Sequence, residues 1–181
     1  MGKQADLFHS IVAKLLYVCK RGRPDIETTV AFLCTRVAKS DIFDWKKLLR
    51  LLGFLKKTIN DPRYIGASSL KRLFSWADAS YAVHHDMKSH TGGVTSFGRG
   101  ILCSKSSKQK LNTKSSTEAE LVGFSDFLPY PLWFLFFLKH QGYDLSENVI
   151  FQDNQSAIRL EKNGRNLCTG NSRHIDIKYF L

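Results

Sequence analysis

The chain has few cysteines, few prolines and no long hydrophobic run, and these absences exclude several classes of protein. Its four cysteines, Cys19, Cys34, Cys103 and Cys168, show no CxxC spacing. We therefore expect neither a disulfide framework nor a cysteine-based zinc site, and an intracellular location, cytoplasmic or nuclear, is favoured. The longest apolar stretch, residues 131–138, is too short to cross a bilayer, and the N-terminus lacks a secretory cleavage site. No membrane partner is expected.

Acidic residues are scarce relative to basic ones. Asp and Glu number 16 against 27 Lys and Arg, which gives the 181-residue chain a net charge of +11. This excess favours a polyanionic partner, nucleic acid before a membrane surface. With 43% hydrophobic residues and only four prolines, the composition is that of a globular protein and excludes a disordered or fibrous one.

Hydrophobic spacing divides the chain into two parts. Residues 1–62 show the three-to-four-residue period of amphipathic helices, and Gly22 and Pro24 end the first of three. We expect a small helical subdomain here, followed by a separate domain at residues 71–181. The third helix, capped by Asp41 or Asp44, is predicted to bury the apolar residues Trp45, Leu48, Leu49, Leu52 and Leu55.

The second part is predicted to be an α/β domain. The segments LFSWADASYAV, TGGVTSFG and GILCSKSS have the composition of three short antiparallel strands joined by turns. The capping-box sequence SSTE then opens a helix that prolines interrupt. The apolar segment NVIFQ predicts a fourth strand, and a last helix follows from Asn154 to Lys162.

Three carboxylates, Asp78, Glu120 and Asp153, occupy positions where an acid is costly or unusual. Asp78 lies within a predicted strand, Glu120 lies among apolar helix residues, and Asp153 follows the strand NVIFQ at its C-terminal end. Taken singly, each has a plainer interpretation, as a strand-end residue, a helix-surface charge and a helix N-cap. Taken together, they would repel one another unless a divalent cation such as Mg²⁺ or Mn²⁺ joined them. Two such ions roughly 4 Å apart would support phosphodiester cleavage.

At these residues the sequence resembles a known family. The segments WADASYA, SSTEAEL, QDNQSAI and SRHIDIKYF are similar, in order and separation, to the ribonuclease H domain of copia-type retrotransposon Pol polyproteins. Upstream, HSIVAKLLY, RGRPDI and DWKKLLRLLGFLKKT resemble the thumb and connection of the reverse transcriptase. The resemblance implies a ribonuclease H-like mixed sheet, with three antiparallel strands and then a parallel one. It also implies two-metal cleavage of the RNA strand of RNA/DNA hybrids.

Carried over by position, the resemblance assigns the metal carboxylates to Asp78, Glu120 and Asp153 and leaves Glu118 to the helix cap. The family's last strand and its fourth carboxylate have no clear counterpart, so we expect a truncated domain, and Asp176 is the late acid available for that role. Cleavage by this chain alone is therefore expected to be weak or absent. A missing last strand would also leave NVIFQ as an apolar edge open to self-association.

Four lysines form a basic cluster around the third predicted strand and the turn into the following helix. They are Lys105, Lys108, Lys110 and Lys114, interleaved with Ser and Gln. Such a cluster would neutralise phosphates and make nucleic-acid binding dependent on salt. The alternative interpretation is a solvated loop.

Other polar residues are weaker candidates for contact with the hybrid. Ser80, Asn154 and Gln155 adjoin the metal acids, and turn or cap roles are equally compatible with the sequence. His174 matches a family position, with a structural hydrogen-bonded histidine as its alternative. A zinc site is disfavoured at His84, His85 and His90, because their spacing fits neither a strand nor a helix and no cysteine is near.

Three functions remain open at this point. The first is a ribonuclease H-type nuclease acting on RNA/DNA hybrids. The second is a catalytically dead nucleic-acid-binding remnant, whose affinity would fall steeply with salt. The third is a recruited protein-interaction module that uses the helical N-terminal third and the exposed strand edge.

Overall fold

The computed structural model describes residues 3–163, so His174 and Asp176 lie outside the described residues. The chain divides into two compact units, residues 1–64 and residues 65–181. The first unit is helical, and the second holds a sheet with helices.

Three helices form the first unit: α1 (Lys3–Arg21), α2 (Glu27–Cys34) and α3 (Ile42–Lys57). Gly22 follows α1 directly, and Pro24 opens a short 3-10 turn before α2, so the chain changes direction where the sequence predicts. The helices share one buried core, made mainly of Phe8, Val12, Leu15, Ile26, Val30, Leu33, Leu48 and Leu51.

The buried face of α3 differs from the predicted one at two positions, Leu49 and Leu51. Asp41 caps the helix, and Asp44 completes a capping box with it, so both candidate acids take part. Leu48 and Leu51 are buried, but Leu49 is 61% exposed, and its predicted burial is wrong. Successive helical residues are about 100° apart, so a stripe that runs through Leu48 and Leu51 turns Leu49 toward solvent.

The main sheet of the second unit contains the strands β2 (Arg72–Ser80), β3 (His90–Ser96), β5 (Ile101–Lys108) and β6 (Glu147–Phe151). Their order in the sheet is β5–β3–β2–β6. β3 pairs antiparallel with β2 and with β5, whereas β6 pairs parallel with β2. The predicted α/β class and mixed sheet are thus confirmed. Within the described part of the chain, β6 is an edge strand.

Two very short strands lie outside this sheet. They are β1 (Gly66–Ala67) and β4 (Gly98–Arg99), which pair antiparallel with each other. The sequence patterns predict no such pair, because two-residue strands are too short to show a period of two.

Three helices complete the second unit: α4 (Ser116–Phe127), α5 (Pro129–His140) and α6 (Gln155–Asn163). α4 packs on β2 and β3 and buries Ala119, Leu121, Val122 and Phe127. Together, α4 and α5 form a segment from Ser116 to His140 that is long and apolar enough, by length and composition alone, to cross a membrane. The packing of α4 on the sheet is that of a core helix, whereas α5 leaves Trp133 and Phe136 largely exposed.

Candidate metal centre

Strand pairing brings two of the three acids to the same end of the sheet. Trp76 in β2 is the register partner of Phe151 in the parallel strand β6. Asp78 and Asp153 each follow two residues later, so both carboxylates lie just beyond the point where the pairing of these two strands ends. This is the edge at which α/β sheets commonly bind ligands.

The third acid is carried by α4, and a glycine lets that helix approach the sheet. Gly123 lies one turn after Glu120, and a Cβ at this glycine would be 3.1 Å from the Ala79 Cβ, tighter than ordinary contact. The close approach brings the Glu120 carboxylate near the Ala79 backbone N–H, which acts to lower the pKa of the carboxylate. Glu120 is therefore fixed next to the residue that follows Asp78.

Asp78, Glu120 and Asp153 each offer a carboxylate oxygen, and these oxygens lie within 4.8 Å of one another. Two oxygens bound to one Mg²⁺ lie at most about 4.2 Å apart, so a small rotation of the exposed Asp78 and Asp153 side chains suffices to share an ion. The donor set, three hard oxygens at an open edge, also fits Mg²⁺ and Mn²⁺ by chemistry. No second group of three such side chains is found among residues 3–163.

Glu120 differs from the other two acids in its environment. It is 6% exposed, while Asp78 and Asp153 face solvent. Burial raises the pKa of Glu120 to about 7, and the neighbouring Asp78 charge adds to the increase, while hydrogen bonds from Gln152 and the Ala79 N–H oppose it. A bound cation would favour the ionised carboxylate, so metal binding is expected to release a proton below about pH 7.

Glu120 is expected to make the metal-free protein less stable as the pH rises. Its folded-state pKa lies above the usual 4.5, so its stabilising contribution is complete below pH 4.5 and is lost as the pH passes through about 7. Glu120→Gln removes the cost of holding an ionised carboxylate in a buried position. It should therefore raise the free energy of unfolding at pH 8 by roughly 2 kcal/mol, with little gain at pH 5. Urea unfolding in EDTA at both pH values measures the difference, and a gain that does not change with pH would contradict this account.

The four lysines of the predicted basic cluster have different surroundings. Lys105 donates from Nζ to the Asp126 carbonyl at 2.7 Å and lies over the Tyr130 ring, and Lys108 forms a 2.7 Å ion pair with Asp86. The other two lysines of the cluster, Lys110 and Lys114, are exposed on the segment that leads into α4.

The polar residues near the acids occupy strand ends and helix caps. Ser80 is exposed at the end of β2, and Gln155 is exposed at the start of α6. Asn154 caps α6, since its Oδ1 accepts from the Ala157 N–H at 3.0 Å. The residue that caps α6 is therefore Asn154, and not Asp153 as the alternative interpretation of that acid proposed. Glu118, assigned to a cap by sequence, accepts the Lys114 N–H at 2.7 Å.

Two of the three neighbouring histidines contact each other. His84 Nε2 lies 3.0 Å from His90 Nδ1, and His90 Nε2 lies 2.7 Å from the Ser106 hydroxyl. Burial lowers the pKa of both rings; the charge of Lys108 lowers that of His84 further, and His84 lowers that of His90. His85 is exposed and belongs to no such pair among the hydrogen bonds found in residues 3–163.

Sequence reasoning missed one residue at the centre, Gln152. Its Nε2 donates to Glu120 Oε2 at 3.2 Å, and its Oε1 accepts from the Asp153 N–H at 2.9 Å. The sequence gives one sign of this role, since Gln152 directly follows an apolar strand and directly precedes Asp153. Turns and helix caps produce the same pattern, so the pattern does not identify the role by itself.

The chain is similar to transposon polyproteins. It is 31% identical to a retrovirus-related Pol polyprotein from transposon TNT 1-94 of Nicotiana tabacum. The aligned segment is 173 residues long and covers 95% of the chain. It is 28% identical over 155 residues, 84% of the chain, to that from transposon RE2 of Arabidopsis thaliana. An uncharacterized mitochondrial protein of Arabidopsis thaliana is 32% identical over 114 residues, which is 62% of the chain and 47% of that protein.

The match covers only a small part of the polyproteins, 13% of the tobacco protein and 11% of the RE2 protein. No protein-family model matches the chain, and no solved structure matches it. Three of the relatives are retrovirus-related Pol polyproteins, from transposons TNT 1-94, RE1 and RE2, and are 28–31% identical over 84–95% of the chain. This similarity supports a retrotransposon-derived protein.

Proposed function

We propose that this chain is a ribonuclease H-like nuclease fragment of a retrotransposon Pol polyprotein, which hydrolyses the RNA strand of RNA/DNA hybrids with divalent cations. The observation that carries the proposal is the cluster of Asp78, Glu120 and Asp153, whose carboxylate oxygens lie within 4.8 Å at the end of β2 and β6. The resemblance of WADASYA, SSTEAEL and QDNQSAI to the nuclease domain, and the similarity to Pol polyproteins, support it.

The three acids would hold the cations, Mg²⁺ or Mn²⁺. When bound there, the cations would supply charge stabilisation at the scissile phosphate and lower the pKa of an attacking water. Asp78 and Asp153, which are exposed, would face the substrate side, while the buried Glu120 would anchor the site to α4. Because a cation must compete with the proton on Glu120, the cation concentration needed for activity should fall as the pH rises toward about 7.

The charge of the chain favours a nucleic-acid substrate. Its net charge is +11, and Lys110 and Lys114 are exposed beside the start of α4, the helix that carries Glu120. These lysines are the members of the basic cluster best suited to phosphate contact, because Lys105 and Lys108 already contact groups within the chain. Binding should therefore weaken with rising salt, whatever the base sequence.

Incubation of the purified chain with an end-labelled RNA/DNA hybrid tests the proposal. Because the family's fourth carboxylate has no clear counterpart, we expect only weak cleavage of the RNA strand with Mg²⁺ or Mn²⁺, none in EDTA, and none of a DNA duplex of the same sequence. Cleavage that persists in EDTA, or that cuts both duplexes equally, would argue against a metal-dependent hybrid nuclease.

The second candidate function is nucleic-acid binding without cleavage, which the net charge of +11 favours independently of the acids. It predicts hybrid binding that falls steeply with salt and does not change when a single one of the acids is replaced by its amide. The same hybrid, used in a binding assay with and without Mg²⁺, separates the two functions.

A further inference from the structure

Gln152 connects two elements that carry acids of the candidate metal centre. It lies directly after β6, where its Nε2 donates to Glu120 Oε2 of α4 at 3.2 Å. At its other end, Oε1 accepts from the backbone N–H groups of Asp153 at 2.9 Å and Asn154 at 3.3 Å. One neutral side chain thus touches a ligand side chain and the backbone of a second ligand.

The surroundings of Gln152 fix which way its amide points. Two backbone N–H groups face one end of the amide. Both are donors, so the acceptor at this end must be the carbonyl oxygen of the amide. The NH₂ end is therefore turned to the Glu120 carboxylate, which accepts it. The reversed amide would set the NH₂ group against two N–H donors and the carbonyl oxygen against a carboxylate, so all three contacts would be lost.

We propose that Gln152 is a positioning residue, which holds the Glu120 carboxylate in place for cation binding. The inference rests on the proposed function. The Glu120 carboxylate lies near the Ala79 N–H of β2, and Gln152 donates a hydrogen bond to it from directly after β6. Because an outer partner that orients a ligand typically changes metal affinity 10–100-fold when removed, the loss of this contact should be measurable.

The alternative is that Gln152 serves only as a cap for the start of α6. Its two backbone contacts alone would give it that role, next to the Asn154 cap. A capping role predicts lower stability of α6, whether or not Glu120 can act as a ligand. The two roles therefore separate in a double-mutant cycle with Glu120.

Mn²⁺ binding, followed by the loss of the free-ion EPR signal, tests the proposal without any need for nuclease activity. Gln152→Met keeps the length of the side chain and removes the amide, and it should raise the Mn²⁺ dissociation constant roughly 10-fold. Gln152→Asn keeps an amide that is one methylene too short to reach Glu120, and it should show a similar rise. Gln141→Met, the same change at an exposed position after α5, should leave the constant unchanged.

In the Glu120→Gln background, Gln152→Met should raise the constant less than about 3-fold further, because the group it positions no longer binds as a carboxylate. An equal rise in both backgrounds, or no rise in the wild-type background, would overturn the positioning role. The proposed function fails separately: if Mn²⁺ binding by the unaltered chain is absent or is indifferent to Asp78→Asn, the metal centre itself is wrong, and the role of Gln152 falls with it.

Discussion

Replacing Asp78 by Asn is expected to reduce the weak divalent-metal-dependent cleavage of an RNA/DNA hybrid by this chain to below detection. The change removes one negative charge and one strong oxygen ligand from a group of three, and it keeps the size and shape of the side chain. Its carboxylate oxygen is within 4.8 Å of those of Glu120 and Asp153, so the remaining two acids must hold the cations alone. Loss of a ligand from an oxygen site weakens binding steeply, because charge count sets affinity.

The matched control for this variant is Asp144→Asn. Asp144 lies in the same unit, its side chain is 81% exposed, and its ion pair with Lys71 is long, at 3.7 Å. Such an exposed pair contributes little, so cleavage should stay within about 2-fold of the unaltered chain. Initial rates at several Mg²⁺ concentrations measure both variants. Equal rates for Asp78→Asn and Asp144→Asn would remove Asp78 from the reaction.

Replacing Gly93 by Ala is expected to destabilise the second unit by roughly 3 kcal/mol. A Cβ at Gly93 would overlap the ring of Phe127, which would be within 2.6 Å at its Cγ and Cε2 atoms. Phe127 is fully buried at the end of α4, so the ring cannot swing into solvent. Either α4 must move away from β3 or the strand must bend, and both weaken the packing that holds Glu120 at the sheet.

Gly92 offers the matched control, because it is the preceding residue of the same strand. A Cβ there meets only the Asp78 carbonyl oxygen, at 3.8 Å, which is ordinary contact. Gly92→Ala should therefore change stability by less than about 1 kcal/mol, and a small gain is compatible with the lower entropy of the unfolded chain. Thermal unfolding of both variants decides the matter. Similar melting temperatures would show that α4 does not press on β3 as described.

The strands, and the positions of Asp78 and Asp153 along them, were predictable because each depends on short-range pattern. Strand alternation places Asp78 on the exposed face of β2, and the apolar segment before Asp153 ends in a polar turn. A period of two residues and a break in hydrophobicity can both be recognised in a single sequence. The resemblance to the nuclease family then chose Glu120 over Glu118, which the structure places in a hydrogen bond to the Lys114 N–H.

The rest depends on contacts between segments that are distant in sequence. In the sequence, Lys105 belongs to a candidate phosphate-binding cluster. In the structure its ammonium group contacts the Asp126 carbonyl and the Tyr130 ring, which are 21 and more residues away in sequence. Gln152 looks like a turn residue until Glu120, 32 residues earlier, lies beside its amide. Leu49 was misplaced for a related reason, because only the packing of α1 and α2 decides which flank of the α3 stripe is covered.

Anomalous difference density at the manganese edge, from crystals of the chain grown with Mn²⁺, tests whether the three acids hold a cation. We expect a peak beside the end of the β2–β6 pairing, within coordination distance, about 2.2 Å, of oxygens from Asp78, Glu120 and Asp153. An anomalous peak only at another place, or no peak at this cluster in crystals saturated with Mn²⁺, would contradict the assignment of these acids as a metal centre.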